Sequence, residues 1–275
     1  MQIIDAQIHL WTTEVDVVPP HRREPFGIDE AIAEMDKAGV DGAVIHPPSW
    51  DPESHALALH AVERFPKRFS ILGRIDPQAP DRTAQLDNWL RQPGVLGLRY
   101  TFLKPHEKTW MADGTMDWLW PAAERLQVPI ALLADGYLGH VDRIAEQHPG
   151  LKLIVDHFGV RRGNVDDAAF ASLPDVVALA RHDNVAVKVT GGPQYVSGGY
   201  PFTGLTAPYR AIYEAFGPTR MFWGTDITRM PCSWRECVTA FTEHQAWMPA
   251  KDMAMVMGEG IRQWLGWTAA AERSS

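Results

Sequence analysis

The sequence predicts an α/β protein that folds as a single-domain (β/α)8 TIM barrel. Short apolar runs rich in Val, Ile and Leu alternate with longer segments of helical spacing. This strand-then-helix unit recurs along the 275 residues, a length typical of such barrels. The strand runs are continuously apolar, as in parallel strands that are buried on both faces. A doubly wound open sheet is the alternative, but no glycine-rich phosphate turn follows the first strand.

The individual elements follow from these runs in chain order. We expect strands at residues 3–10, 42–48, 69–76, 96–102, 129–135, 151–159, 185–191 and 220–227. Helical spacing predicts helices at residues 28–39, 54–65, 82–92, 116–126, 138–148, 175–183, 208–217 and 234–245. Gly39, Pro66 and Gly217 stand where helices should end. The barrel is expected to span residues 1–270, with residues 271–275 as a C-terminal tail.

Composition excludes several classes of partner. The net charge is −8, and no long basic cluster offers a surface for nucleic acid. No apolar run approaches the roughly 20 residues that span a bilayer. The two cysteines suit a reducing compartment, and the opening MQIID lacks the charged and apolar regions of a signal peptide. We therefore expect a cytoplasmic protein that acts on small molecules, and the sequence leaves a homo-oligomer open.

Polar residues recur at the carboxyl ends of the predicted strands, where barrel enzymes carry their active sites. They include Gln7, His9, His46, Arg74, Arg99, Tyr100, Asp135, Asp156, His157, Lys188 and Asp226. Because strand 8 closes against strand 1, we expect His9, His157 and Asp226 to be neighbours in one site. Taken singly, each has a plainer reading as a strand-end hydrogen bond or a helix cap. Asp156 and His157 are adjacent, so only one of them is expected to face inward.

Four segments carry a resemblance to a known family. IDAQIHLW at strand 1, GLRYTF at strand 4, IVDHFG at strand 6 and FWGTDIT at strand 8 resemble the amidohydrolase superfamily. Within it they resemble the amidohydrolase-related (amidohydrolase 2) branch, which includes 2-pyrone-4,6-dicarboxylate hydrolases and sugar lactonases. The resemblance covers nearly the whole chain. It implies a barrel in which Asp226 is the general base for water that attacks a carbonyl. From the arrangement of the trio we further expect His9 or His157 to act catalytically, by donating a hydrogen bond to the carbonyl oxygen as negative charge develops on it.

The metal pattern of that superfamily is altered in this chain. The first histidine of the strand 1 His-x-His signature is Gln7, the strand 4 residue that bridges two metals is replaced by Arg99, and strand 5 offers LLAD without a histidine. A neutral amide is a poor zinc ligand. We expect chemistry without a cofactor. The alternative is a single divalent metal, Zn²⁺ or Mn²⁺, held by His9, His157 and Asp226.

Other strand-end residues suit an anionic small-molecule substrate. Arginine pairs with carboxylate through two parallel hydrogen bonds. The candidate substrate-binding residues are Gln7, Trp50, Arg99, Tyr100, Lys104 and Arg162. Together these residues predict a hydrolase that opens a lactone or related cyclic ester bearing a carboxylate. Two alternatives remain: a metal-dependent non-oxidative decarboxylase of an aromatic or muconate-type acid, and a barrel that binds a ligand without catalysis.

Overall fold

A computed structural model describes residues 1–16, 21–160 and 163–268. Eight parallel strands follow one another around a nearly closed barrel, each paired with the next in the chain. They are β1 (Ile4–Ile8), β2 (Gly42–Ile45), β3 (Phe69–Gly73), β4 (Val95–Tyr100), β5 (Ile130–Leu132), β6 (Leu153–Val155), β7 (Val185–Thr190) and β8 (Met221–Gly224). β8 lies against β1, where the N–H of Asp226 donates to the carbonyl of Gln7 at 2.9 Å. The predicted barrel is confirmed.

Helices surround the barrel. They are α1 (Ile28–Ala38), α2 (Ser54–Arg64), α3 (Arg82–Leu90), α4 (Leu119–Leu126), α5 (Leu138–Gln147), α6 (Asp166–Ala169), α7 (Leu173–Ala178), α8 (Thr206–Phe216), α9 (Trp234–Thr242), α10 (Ala250–Ala254) and α11 (Gly260–Leu265). The segment predicted as one helix at 175–183 is instead α7 followed by a 3₁₀ turn, and α6 precedes it. Pro174 lies in the first turn of α7, a position that favours proline, which explains why a new helix begins here.

A cluster of apolar side chains, the apolar plug, fills the barrel interior at the amino ends of the strands. Its members are Ile4, Ala6, Val44, Leu72, Ala131, Ile154, Ala186 and Phe222, and Ile261, Leu265 and Trp267 pack against them from the C-terminal helices. These helices therefore cover the amino ends of the strands. The described helices include none with the length and apolar character needed to cross a bilayer. The predicted tail, residues 271–275, lies outside the described residues.

The barrel interior becomes polar two residues further along the strands, toward their carboxyl ends. Side chains two residues apart in a strand point the same way. Two residues after the plug positions of β2, β3, β6 and β7 come His46, Arg74, Asp156 and Lys188. The floor of any site at the carboxyl ends of the strands is thus built from ionisable groups.

Candidate active site

A cavity of about 230 Å³ opens at the carboxyl ends of the strands. The charged and imidazole side chains in its lining are His9, His21, His46, Arg74, Arg99, His157, Asp226 and Arg229. Leu72, Leu133 and Trp50 supply apolar walls. The cavity therefore combines a polar floor with room for one small molecule.

Asp226 lies at the centre of the predicted trio. Its Oδ1 is 3.4 Å from His9 Nε2, and its Oδ2 is 3.9 Å from His157 Nε2. Among the described residues, Oδ1 has no hydrogen-bond partner although it is buried. Burial by itself would raise the pKa of Asp226, but attraction to His9, His157 and Arg229 outweighs it and lowers that pKa. Asp226 is therefore an ionised carboxylate at neutral pH with one oxygen available.

Two of these side chains stand on unusual backbone. His157 has φ 51° and Asp226 has φ 54°, both in the left-handed region that non-glycine residues seldom occupy. Each is the second residue after the end of its strand, since β6 ends at Val155 and β8 at Gly224, so the chain turns sharply where it enters the cavity. Strained backbone of this kind is concentrated at functional sites. The twist also aims both side chains at the same point.

His9 is held as a neutral imidazole. Its Nδ1 lies 2.6 Å from the carbonyl oxygen of His46, which can only accept, so Nδ1 carries the proton. Burial lowers the pKa of His9 to about 4. Its Nε2 therefore presents a lone pair toward Asp226 Oδ1.

His157 is neutral for the same reason, since burial lowers its pKa to about 4. Its Nδ1 contacts both the carbonyl oxygen of Thr190 at 3.3 Å and the Thr190 hydroxyl at 2.8 Å. Its Nε2 lies 3.1 Å from the side-chain nitrogen of Gln7. The carbonyl requires a proton on Nδ1, and Nε2 then accepts from the Gln7 amide.

A buried ion cluster lies beneath these residues. Asp156 is paired with Arg99 Nε at 2.7 Å and with Lys188 Nζ at 3.0 Å. Burial by itself would raise the pKa of Asp156, but the two cations hold it far below its usual range. Burial lowers the pKa of Lys188 to about 8. At neutral pH the cluster therefore contains a carboxylate, a guanidinium and an ammonium.

One expectation about this region was wrong. Asp156 and His157 were expected to face opposite sides of the barrel, yet Asp156 contacts Lys188 in the interior and His157 contacts Gln7 there. The alternation of a strand does not apply, because β6 ends at Val155 and His157 adopts a left-handed conformation. Both side chains can then turn inward.

The predicted substrate-binding residues have different placements. Arg99 and Trp50 line the cavity, with the Trp50 ring edge-on to His9 at 5.9 Å between centroids. Gln7 lies beneath the lining and contacts His157. Lys104 donates to the carbonyl of Ser49 at 3.4 Å, and the buried Tyr100 hydroxyl donates to the carbonyl of Ile75 at 3.2 Å.

Neither Lys104 nor Tyr100 belongs to the cavity lining found among the described residues. Arg162 lies outside the described residues. His46, Arg74 and Lys188 were visible in the sequence as strand-end residues but received no role. Arg229 comes from the short turn after β8, and His21 from a loop whose sequence carries no signal of a site.

The fold and the site together define a (β/α)8-barrel protein with an aspartate and imidazoles at the carboxyl ends of its strands. The amidohydrolase family model matches residues 4–272. The chain therefore belongs to the amidohydrolase family, whose members are enzymes. No curated protein matches the sequence significantly.

Solved structures share the fold at low sequence identity. A zinc-bound amidohydrolase from Burkholderia multivorans has TM-score 0.81 and 17% identity over 97% of this chain and 99% of its own. A probable 2-pyrone-4,6-dicarboxylic acid hydrolase from Acinetobacter baumannii, with citric acid bound, has TM-score 0.76 and 15% identity over 97% and 100%. The 5-carboxyvanillate decarboxylase from Sphingomonas paucimobilis has TM-score 0.70 and 17% identity over 97% and 99%.

The zinc in one of these structures raises the question of a metal here. The 3.4 Å between His9 Nε2 and Asp226 Oδ1 suits two ligands of one tetrahedral zinc, which lie about 3.4 Å apart. However, His157 Nε2 is already occupied by the Gln7 amide. No group of three or more His, Cys, Asp or Glu residues in the described chain has the arrangement of a metal site. As they are arranged, these residues do not fit a metal.

Proposed function

We propose that this protein is a hydrolase that opens a lactone or related cyclic ester of a carboxylate-bearing small molecule, with Asp226 as the general base. The observation that carries the proposal is the buried Asp226 Oδ1, which has no hydrogen-bond partner in the described chain and faces the lone pair of His9. A carboxylate oxygen left unpaired in a cavity is suited to accept a proton from water.

The reaction follows from these positions. Water gives a proton to Asp226 Oδ1 as its oxygen bonds to the carbonyl carbon of the lactone. His9 Nε2 is close enough to share that proton, and His9 then donates a hydrogen bond to the negative oxygen of the intermediate. The ring C–O bond breaks, and the leaving oxygen takes the proton from the Asp226–His9 pair. The product is a hydroxy acid, and the site returns to its starting state.

The charge of the site supports an anionic substrate. The ion pairs in and beneath the cavity join four cations to three carboxylates, namely Arg74 to Glu107, Arg99 and Lys188 to Asp156, and Arg229 to Asp226. One positive charge is left over among these groups. The Arg99 guanidinium lines the cavity and has the planar geometry that pairs with carboxylate. We therefore assign the substrate carboxylate to Arg99.

The test is a panel of lactones with and without a carboxylate, with hydroxy acid measured by mass spectrometry. The proposal expects turnover of the carboxylate-bearing members and little or none of their neutral analogues. Hydroxybenzoates and muconate-type acids belong in the same panel, with carbon dioxide as the readout. Metal-dependent release of carbon dioxide without lactone hydrolysis would support the decarboxylase instead, and ligand binding without any turnover would support a barrel that has lost catalysis.

A further inference from the structure

Lys188 is a charged group in the interior of the barrel that the proposed mechanism does not use. It lies in β7 and is fully buried, with 0% of its surface exposed. It is not part of the cavity lining, so it is not placed to touch a substrate. A buried lysine is rare unless its charge is paired. Its position beneath the site therefore calls for a role that acts through its neighbours.

Three side chains surround the ammonium group of Lys188. Asp156 Oδ1 lies at 3.0 Å, His46 Nε2 at 3.0 Å and Gln7 Oε1 at 3.3 Å. An ammonium group has three N–H donors and no acceptor. Asp156 Oδ1 and Gln7 Oε1 can only accept, whereas His46 Nε2 also faces the carbonyl oxygen of Ala6 at 3.2 Å. The three side chains come from different strands or strand ends. The cation ties the carboxyl ends of β1, β2 and β6 together.

The contact with Gln7 sets the orientation of its amide. An ammonium group can only donate, so the Gln7 atom that faces Lys188 must be the oxygen. The amide nitrogen then points the other way, to within 3.1 Å of His157 Nε2. Because that nitrogen only donates, His157 Nε2 must accept, and the ring proton lies on Nδ1.

We infer that Lys188 is a positioning residue: through Gln7 it fixes His157 as the neutral imidazole protonated on Nδ1, which leaves Asp226 as the acceptor for the proton of water. With its Nε2 occupied, His157 does not compete for that proton, although it lies only 3.9 Å from Asp226. This inference rests on the proposed function only for its effect on turnover, and its effect on His157 is independent of the substrate.

Two variants test the link from Lys188 through Gln7 to His157. Lys188→Met removes the cation, so the Gln7 amide loses its fixed orientation, while Asp156 keeps its ion pair with Arg99 at 2.7 Å. Gln7→Glu keeps Lys188 paired but replaces the N–H donor with an acceptor. Lys152→Met is the matched control, because Lys152 donates to the carbonyl of Trp264 at the other end of the barrel.

The readout is the ¹⁵N spectrum of the His157 ring at one pH near 7.5, in protein with labelled histidine. We expect the Nδ1-protonated form in the wild type and in Lys152→Met. We expect proton density on Nε2 in Gln7→Glu, and a mixture of the two ring forms in Lys188→Met. On a hydrolysed lactone, kcat should fall about 10- to 100-fold in Lys188→Met, as for other residues that orient a catalytic group, with KM nearly unchanged.

The outcomes separate the two proposals. If no lactone is hydrolysed but the ring spectra change as expected, the proposed function fails and the inference about Lys188 stands. If the folded Gln7→Glu and Lys188 variants keep the wild-type His157 spectrum, the inference is overturned whatever the activity. The same holds if Lys188→Met loses activity only through a larger KM, because that result assigns Lys188 to substrate binding through Arg99.

Discussion

The substitution Asp226→Asn should abolish most of the hydrolytic activity while leaving the barrel intact. Asparagine has nearly the same shape as aspartate and tolerates the left-handed backbone at this position, where φ is 54°. The backbone N–H of residue 226 keeps its bond to the carbonyl of Gln7. An amide N–H in place of Oδ1 would also find the lone pair of His9. We therefore expect little loss of stability.

The loss of activity follows from the role of the carboxylate. A general base contributes about 10²- to 10⁴-fold to a rate, equivalent to roughly 3 to 5 kcal/mol in the barrier. Since the amide accepts no proton from water, kcat should fall by about that factor. KM should change little, because the proposed carboxylate contact at Arg99 is separate from Asp226.

The assay is proton release and hydroxy acid formation from the best lactone of the panel, with the melting temperature measured alongside. Asp29→Asn is the control, because Asp29 pairs with Arg64 on the surface. If the Asp226→Asn protein is folded and retains activity within about threefold of the wild type, a difference of well under 1 kcal/mol, another group is the base and the mechanism is wrong.

Three further predictions concern the substrate, a metal and the buried imidazoles. Arg99→Lys loses the planar fork, so KM for a carboxylate-bearing lactone should rise about 10-fold or more, with a smaller change in kcat measured in the same assay. Dialysis against a chelator should leave the hydrolysis rate unchanged, as checked by metal analysis of the same sample. Burial lowers the pKa of His9 and His157 to about 4 from 6.5. Between those pH values the unfolded chain binds more protons, so stability is lost as the pH falls. The free energy of unfolding in urea should be about 2 kcal/mol lower per histidine at pH 5 than at pH 7.5. In His9→Asn the loss between these pH values should be smaller by the contribution of that one histidine.

Each of these predictions has an outcome that contradicts it. If KM is unchanged in Arg99→Lys, measured beside an Arg64→Lys control, the substrate carboxylate does not bind to Arg99. Activity that disappears on chelation and returns with zinc or manganese would show that a metal is part of the site. Equal loss of stability at pH 5 in the wild type and in His9→Asn would mean that His9 is not held neutral by the fold.

The sequence predicted the barrel and the central trio because both depend on local pattern and strand order. Apolar runs mark buried parallel strands, and parallel strands bring their carboxyl ends together. His9, His157 and Asp226 follow strands 1, 6 and 8, and the structure places the Nε2 atoms of both histidines within 4 Å of the Asp226 carboxylate. Their roles as catalytic residues remain a prediction.

The rest of the site was out of reach for physical reasons. The pairing of Lys188 with Gln7 depends on side chains that reach across the barrel, and no spacing in the sequence encodes that reach. The inward turn of both Asp156 and His157 depends on a left-handed residue where strand alternation had been assumed. Tyr100 was predicted from its strand-end position, but its hydroxyl bonds to the carbonyl of Ile75 in the wall. Such choices are made by packing rather than by local pattern.

The central claim is that Asp226 activates water against a substrate whose carboxylate is held at Arg99. A crystal structure of the Asp226→Asn protein with an intact carboxylate-bearing lactone tests it most directly. We predict the ligand carboxylate against the Arg99 guanidinium, and the ring carbonyl next to residue 226 and His9. A ligand carboxylate that instead points at His9, His157 and residue 226, bridged to them by a metal ion, would contradict this account.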